Sequence, residues 1–130
     1  MFHIFTDPYV KVLIMFNDKV IFKWKSSVRH NTLAPVYNER FNYVISQEMH
    51  AELDRITLAF YVVDFHHLSR NEPMGVVTVG RSAECKLARK HWAEVVQSNG
   101  QQISFWHPIQ LATPAQKHHM RSKIPSPLPH

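Results

Sequence analysis

Apolar residues arrive in this chain in short runs, most of them alternating with polar ones. Tyr9 to Met15 is apolar except for Lys11 and reads as a strand covered by the rest of the protein. Asn17-Asp18 marks a turn, and Lys19 to Val28 follows as a second strand. On that strand Val20, Phe22 and Trp24 take one face and Lys19, Lys23 and Lys25 the other, with Ile21 breaking the alternation. The lysines are thus expected to form a row. After a loop at Asn31 to Pro35, Arg40 to Ser46 alternates again, with Phe41, Tyr43 and Ile45 on one side. A polar stretch, Gln47 to Asp54, leads to Arg55 to Val63, where Ile56, Leu58, Phe60 and Val62 share a face. Phe65 to Pro73 is a polar loop, and Met74 to Gly80 and Ile103 to Leu111 complete the strands. Between those two, Ala83 to Gln97 carries Leu87, His91, Trp92 and Val95 at three- and four-residue spacing, a helix that Gly100 can end. From Ala112 onward Pro, His, Lys and Ser dominate with no periodic apolar face, so a disordered tail is expected over 112–130. The pattern predicts an all-β antiparallel sandwich with one short helix near its C-terminal end, a single domain over residues 1–111.

Composition supports one core: 45% of the 130 residues are hydrophobic, with eight Phe, four Tyr and three Trp as large fillers. The net charge of +5, counted with His neutral, favours anionic partners such as lipid headgroups or acidic proteins. A nucleic-acid role is not expected, because no recognition-helix pattern or aromatic–basic interleaving accompanies that charge. Cys85 is the only cysteine, which rules out an internal disulfide and suits a reducing, cytoplasmic setting. Met1 to Thr6 is too short for a signal peptide, and no apolar run approaches the ~20 residues that span a bilayer. Membrane contact would then be peripheral.

Catalytic and metal chemistries find little purchase. Cys85 has no Gly-rich elbow or orienting motif, and it reads as a small buried or helix-start residue. No phosphate-cradling glycine loop exists. The adjacent pairs His66-His67 and His118-His119 diverge in extended chain, and no cysteine set completes a zinc site. His91 and His107, each beside a tryptophan, read as packing and hydrogen-bonding residues. Neither an enzyme nor a metalloprotein is expected.

Ordered motifs point to a family. DPYVKV at Asp7 to Val12 is followed by NTLAPVYNE at Asn31 to Glu39, VVDF at Val62 to Phe65 and RNEPMGVVTVG at Arg70 to Gly80. HW at His91-Trp92 and FWHPIQL at Phe105 to Leu111 complete the set. Together they resemble the second C2 domain of synaptotagmins, from about Asp7 to Leu111. The resemblance implies an eight-stranded C2-type sandwich whose loops at one end bind calcium and insert into anionic membranes. It also implies roles in vesicle docking and fusion through acidic phospholipids and SNARE proteins. The match begins after the family's second strand, so the first two strands are expected to be missing, leaving ladder edges open. A fragment or splice product, or an edge that pairs with another chain, would each account for that.

Three departures change the expected chemistry. The family holds calcium with five aspartates, since Ca²⁺ wants six to eight oxygen ligands. Here Asp7 and Asp64 match two of those positions, while His66 and Glu72 stand at two others and Met1 near the fifth. Three carboxylates and a poorly suited imidazole make calcium an unexpected cofactor, with weak binding at most. Asp7 and Asp64 would then serve mainly to bond nearby backbone N–H groups. Next, the family's run of four lysines becomes Phe22, Lys23, Trp24 and Lys25, which halves the charge. Lys19, Lys23 and Lys25, with Lys11 or Arg29, would give roughly 3–4 kcal/mol at about 1 kcal/mol each, too little to anchor alone. Equally, they are a solvated outer face. Finally, Gln101 and Gln102 replace paired arginines before the last strand. Phe5 and Leu68 lie where loop tips would meet lipid, although Phe5 also suits a core-capping role.

The function these residues imply is a calcium-independent module, cytoplasmic and peripheral on membranes. It would bind anionic phospholipids and SNARE or other acidic proteins in vesicle trafficking and exocytosis. The alternative is a protein-interaction or self-association adapter without a lipid or calcium role, the latter a homo-oligomer through its open edge.

Overall fold

The first apolar run, lengthened by one residue at each end to the nine residues Pro8–Phe16, forms the centre of the fold, strand β1. In the computed structural model, which describes residues 6–66 and 71–124, β1 pairs antiparallel with β2 (Lys19–Lys25) on one side. On the other side it pairs antiparallel with β3 (Ile56–Asp64) along its whole length. β4 (Glu72–Gly80) closes a four-stranded sheet of order β2-β1-β3-β4. Asn17 and Asp18 both take positive φ, the geometry that a tight two-residue hairpin turn demands and that these two residue types tolerate.

Register divides the sheet into two faces, because residues directly opposite each other point to the same side. One face carries Tyr9, Lys11, Leu13 and Met15 of β1, with Ala59, Tyr61 and Val63 of β3 and Val76 of β4. The other carries Ile14, Phe22, Ile56, Leu58, Phe60, Val77 and Val79. Both faces are apolar, and both are covered.

The second face is roofed by Met49 of the short helix α1 (Gln47–Ala51), by Ala88 and Trp92 of α2 (Lys86–Val96), and by Phe41 and Tyr43. Phe22 lies 4.8 Å from Tyr43 and 6.0 Å from Phe41 between ring centroids, and Trp24 lies 5.3 Å from Phe41. Ser46 caps α1 by accepting a bond from the Met49 N–H, which makes a helix of part of the stretch read as a polar connection. Cys85 is the N-cap residue of α2, in keeping with its helix-start reading, and Gly100 follows that helix at a φ of +84°.

Two expected strands run without a ladder. Residues 40–46 and 103–111 are extended in places, but among the described residues only one bridge forms, between Val76 and Gln110, with N···O distances of 2.8 and 3.0 Å. The alternation that marked them is present, yet a strand exists only where neighbouring backbone receives its N–H and C=O groups along its length, and among the described residues only Val76 does so, for Gln110 alone. Gly75 sits beneath this crossing because a Cβ there would come within 2.2 Å of Ile109 Cγ2.

The tail is also a correction. Pro114–Arg121 is a helix, α3, within the stretch expected to be disordered. Thr113 accepts from the Gln116 N–H while the Gln116 side chain accepts from the Thr113 N–H, and Pro114 opens the first turn. Met120 is the apolar residue that docks it, buried in the Leu13 and Tyr61 core. The chain therefore holds three α-helices among its described residues where one was expected.

His91 of α2 and His107 fasten the 103–111 segment to the rest. Their rings stack at 5.0 Å, with Phe105 stacked on His91 at 4.5 Å. His91 Nε2 lies 3.2 Å from the Ile103 carbonyl, which can only accept, so the His91 proton sits there and its Nδ1 receives the His107 Nε2–H at 2.7 Å. His107 Nδ1 is left buried without a partner among the described residues, and burial and the neighbouring His91 push the His107 pKa down from 6.5.

Leu13, fully buried, gives the first expected outcome: Leu13→Ala destabilises the domain by about 2–5 kcal/mol in urea unfolding. His107 gives the second. A depressed folded-state pKa means that the unfolded chain takes up its proton first, so this contribution is present above pH 6.5 and is lost on acidification. His107→Phe keeps the stack and removes the titration, and melting temperatures from pH 7.5 to 5 should fall less steeply for it than for the parent.

Candidate functional site

Cations gather on the first face of the sheet. Lys11 opposes Lys25 across the β1–β2 ladder and Leu13 opposes Lys23, so all three lysines point to the side that bears Tyr61. Lys19 does not join them. Ile14 pairs with Phe22 but Met15 with Val20, so Ile21 is an extra, bulged residue and the parity of the strand reverses there. Val20 thus buries itself on the lysine side, and Lys19, opposite Phe16, falls on the other. The single break in the expected alternation was the trace of this bulge.

α3 lies over that cationic face. The Tyr61 hydroxyl donates to the Gln116 carbonyl at 2.7 Å, and Gln116 Nε2 donates to Thr78 Oγ1 at 3.3 Å. Lys11 Nζ donates to the Met120 carbonyl at 2.6 Å, and Lys23 Nζ donates to the Ser122 carbonyl. These two ammonium groups satisfy carbonyls at the helix end, where the macrodipole is negative. Arg121 donates to the Asn71 carbonyl at 3.1 Å and pairs with Glu72 at 3.5 Å. Lys25 stays exposed.

Crowding shows in the electrostatics. Partial burial, and then Lys23, Lys25 and Arg121, bring Lys11 down to about 8 from 10.5. Lys23 is lowered by partial burial and by Lys25. A face of this kind holds an excess of positive charge, with the Glu72 carboxylate beside Arg121.

The remaining residues singled out in the sequence are placed as follows. Arg29 is taken up by its own loop: it donates to the Val36 carbonyl at 3.0 Å and the Tyr37 carbonyl at 3.1 Å, pairs with Glu39 at 3.3 Å and stacks over the Tyr37 ring at 5.3 Å. Asp7 accepts from the Asn31 N–H at 2.7 Å, and Asp64 accepts from the Asp7 N–H at 3.0 Å, so both carboxylates tie backbone together. His66 Nε2 stands 3.5 Å from Asp64, and Glu72 faces Arg121. Among the described residues no three His, Cys, Asp or Glu side chains converge as metal ligands. Phe5 and Leu68 lie outside the described residues. Phe22 and Trp24, which stand in place of lysines, point away from the cations and into the aromatic roof. Tyr61 and Arg121 were missed as parts of this site; the signal for Arg121 lay in the capped helix that presents it.

No helix among the described residues is long and apolar enough to cross a membrane. The chain matches the family described as C2 domain over residues 3–108. It is 38% identical over 104 residues to synaptotagmin-9 of Rattus norvegicus, covering 80% of this chain and 20% of that protein. It is 36% identical over 125 residues to synaptotagmin-10 of Homo sapiens, covering 95% and 23%, and 38% identical over 103 residues to synaptotagmin-6 of Rattus norvegicus, covering 79% and 19%. It therefore spans about a fifth of the length of these relatives. A four-stranded antiparallel sheet, the ordered motifs and this similarity agree: the chain belongs to the C2-domain family, as a C2 domain of the synaptotagmin kind.

Proposed function

We propose that this domain is a binding module, not an enzyme, that docks peripherally on anionic phospholipid surfaces at cytoplasmic membranes without calcium, in vesicle trafficking. The observation that carries the reading is the clustering of Lys11, Lys23 and Lys25 on one sheet face. Their mutual repulsion is relieved by an anionic surface, and each lysine brought to such a surface adds about 1 kcal/mol. Calcium independence is supported by the use of Asp7 and Asp64 as backbone ties and of Glu72 as the partner of Arg121. An acidic SNARE-type segment would be drawn to the same charges.

A second reading, an adapter that associates with protein through its unladdered segments, is favoured by one observation. Val44, Trp106 and Leu111 are 89%, 95% and 86% exposed on stretches that form no ladder among the described residues beyond the single Val76–Gln110 bridge.

Cosedimentation separates the two. Vesicles containing phosphatidylserine should retain the protein at low salt and lose it at high salt, equally with calcium or chelator, while neutral vesicles do not bind it. Lys23→Ala with Lys25→Ala should weaken retention about thirtyfold, the equivalent of about 2 kcal/mol. Retention that requires calcium refutes the proposal, and absence of retention on both vesicles selects the adapter. Proton linkage gives an independent check. An anionic surface raises Lys11 from about 8 back toward 10.5, so docking near pH 8.5 should take up protons. Calorimetric binding enthalpies should then vary with the ionisation enthalpy of the buffer, and less so for Lys11→Met.

A further inference from the structure

A basic helix lies on a basic face. α3 and the residues after it carry Lys117, His118, His119, Arg121 and Lys123, and beneath them are Lys11, Lys23 and Lys25. Like charges brought together in this way oppose docking. What holds α3 is a short set of tethers: Met120 in the core, the Tyr61 hydroxyl on the Gln116 carbonyl, Gln116 Nε2 on Thr78 Oγ1, the two lysine ammoniums on the carbonyls of Met120 and Ser122, and Arg121 with Glu72 and Asn71. Two of these tethers are the lysines that the lipid reading needs, and their hydrogen bonds are spent on the helix.

We infer that α3 is a releasable strap that keeps Lys11 and Lys23 engaged in solution and is displaced from them when the sheet face meets an anionic bilayer. The inference rests on the reading that this face docks on lipid, and it adds the regulation of that face. Two states compete for the same donors. In the strapped state each ammonium meets one carbonyl oxygen at the helix end; on the bilayer it meets phosphate and carboxylate oxygens that carry full charge, and charge-assisted bonds are the stronger ones. Release also separates the cations of α3 from those of the sheet and leaves a short basic segment free to lie on the same surface. The bilayer thus has a differential affinity for the open state, which is what a population shift requires. Met120 and Tyr61 favour the closed state and contribute nothing to headgroup binding, so weakening either should raise lipid affinity.

Two readouts on the full chain test this. Hydrogen exchange should show the α3 amides protected in solution and exposed on phosphatidylserine vesicles. In cosedimentation, Met120→Asp should bind those vesicles more tightly than the parent, provided circular dichroism shows it folded. Tyr61→Phe, which removes one neutral hydrogen bond and no charge, should bind about fivefold more tightly, the equivalent of about 1 kcal/mol. If the parent binds vesicles with α3 still protected, or if Tyr61→Phe binds no better, the strap is refuted while the lipid reading stands. If the parent and both variants fail to bind although α3 is protected in solution, the lipid reading falls, and with it this inference.

Discussion

A central strand that is apolar on both sides has to be covered on both sides, and the architecture follows from that requirement. β1 buries Leu13 toward one core and Ile14 toward the other, and β3 repeats the arrangement with Tyr61 and Ile56. Burial of this kind stabilises the fold in proportion to the apolar area removed from water. On one side the aromatic side chains of the 40–46 region, α1 and α2 supply the cover. On the other, where a lysine-bearing surface would ordinarily stay wet, Leu13, Val20 and Ala59 present apolar surface and α3 closes over it through Met120. The same need that seats the helix brings its cations onto those of the sheet.

Much of the sheet could be read from alternation, because a period of two in the sequence is a direct image of strand geometry. The hairpin turn, the shared face of Ile56, Leu58, Phe60 and Val62, and the helix ended before Gly100 were all visible in this way. That 40–46 and 103–111 form no ladder was not visible, since pairing depends on a neighbour and alternation reports only the strand itself. α3 was legible in principle: Thr113-Pro114-Ala115-Gln116 spells a capping box with proline in the first turn. The surrounding prolines concealed it, and a single buried methionine makes no periodic face.

The site was half legible. Lysine spacing predicted a cationic row, and Lys23 and Lys25 occupy it, but the row draws in Lys11 from the neighbouring strand and loses Lys19 to the bulge. Arg29 shows the limit of reading charge from sequence, because its guanidinium is consumed by carbonyls and Glu39 within its own loop. Asp7 and Asp64 show the reverse. Their structural use follows from ordinary side-chain-to-backbone bonding, and the sequence context of Asp7 before a proline already suggested it.

The extra residue at Ile21 has an effect that reaches past the strand it bends. An insertion of one residue makes the two ends of β2 belong to opposite sides of the molecule, Lys19 to the side of Phe16 and Lys23 to the side of Leu13. Charge changes six residues apart, at 19 and 25, therefore alter the potential over separate surfaces, and one short segment of chain can be adjusted for two different neighbours without a compromise between them.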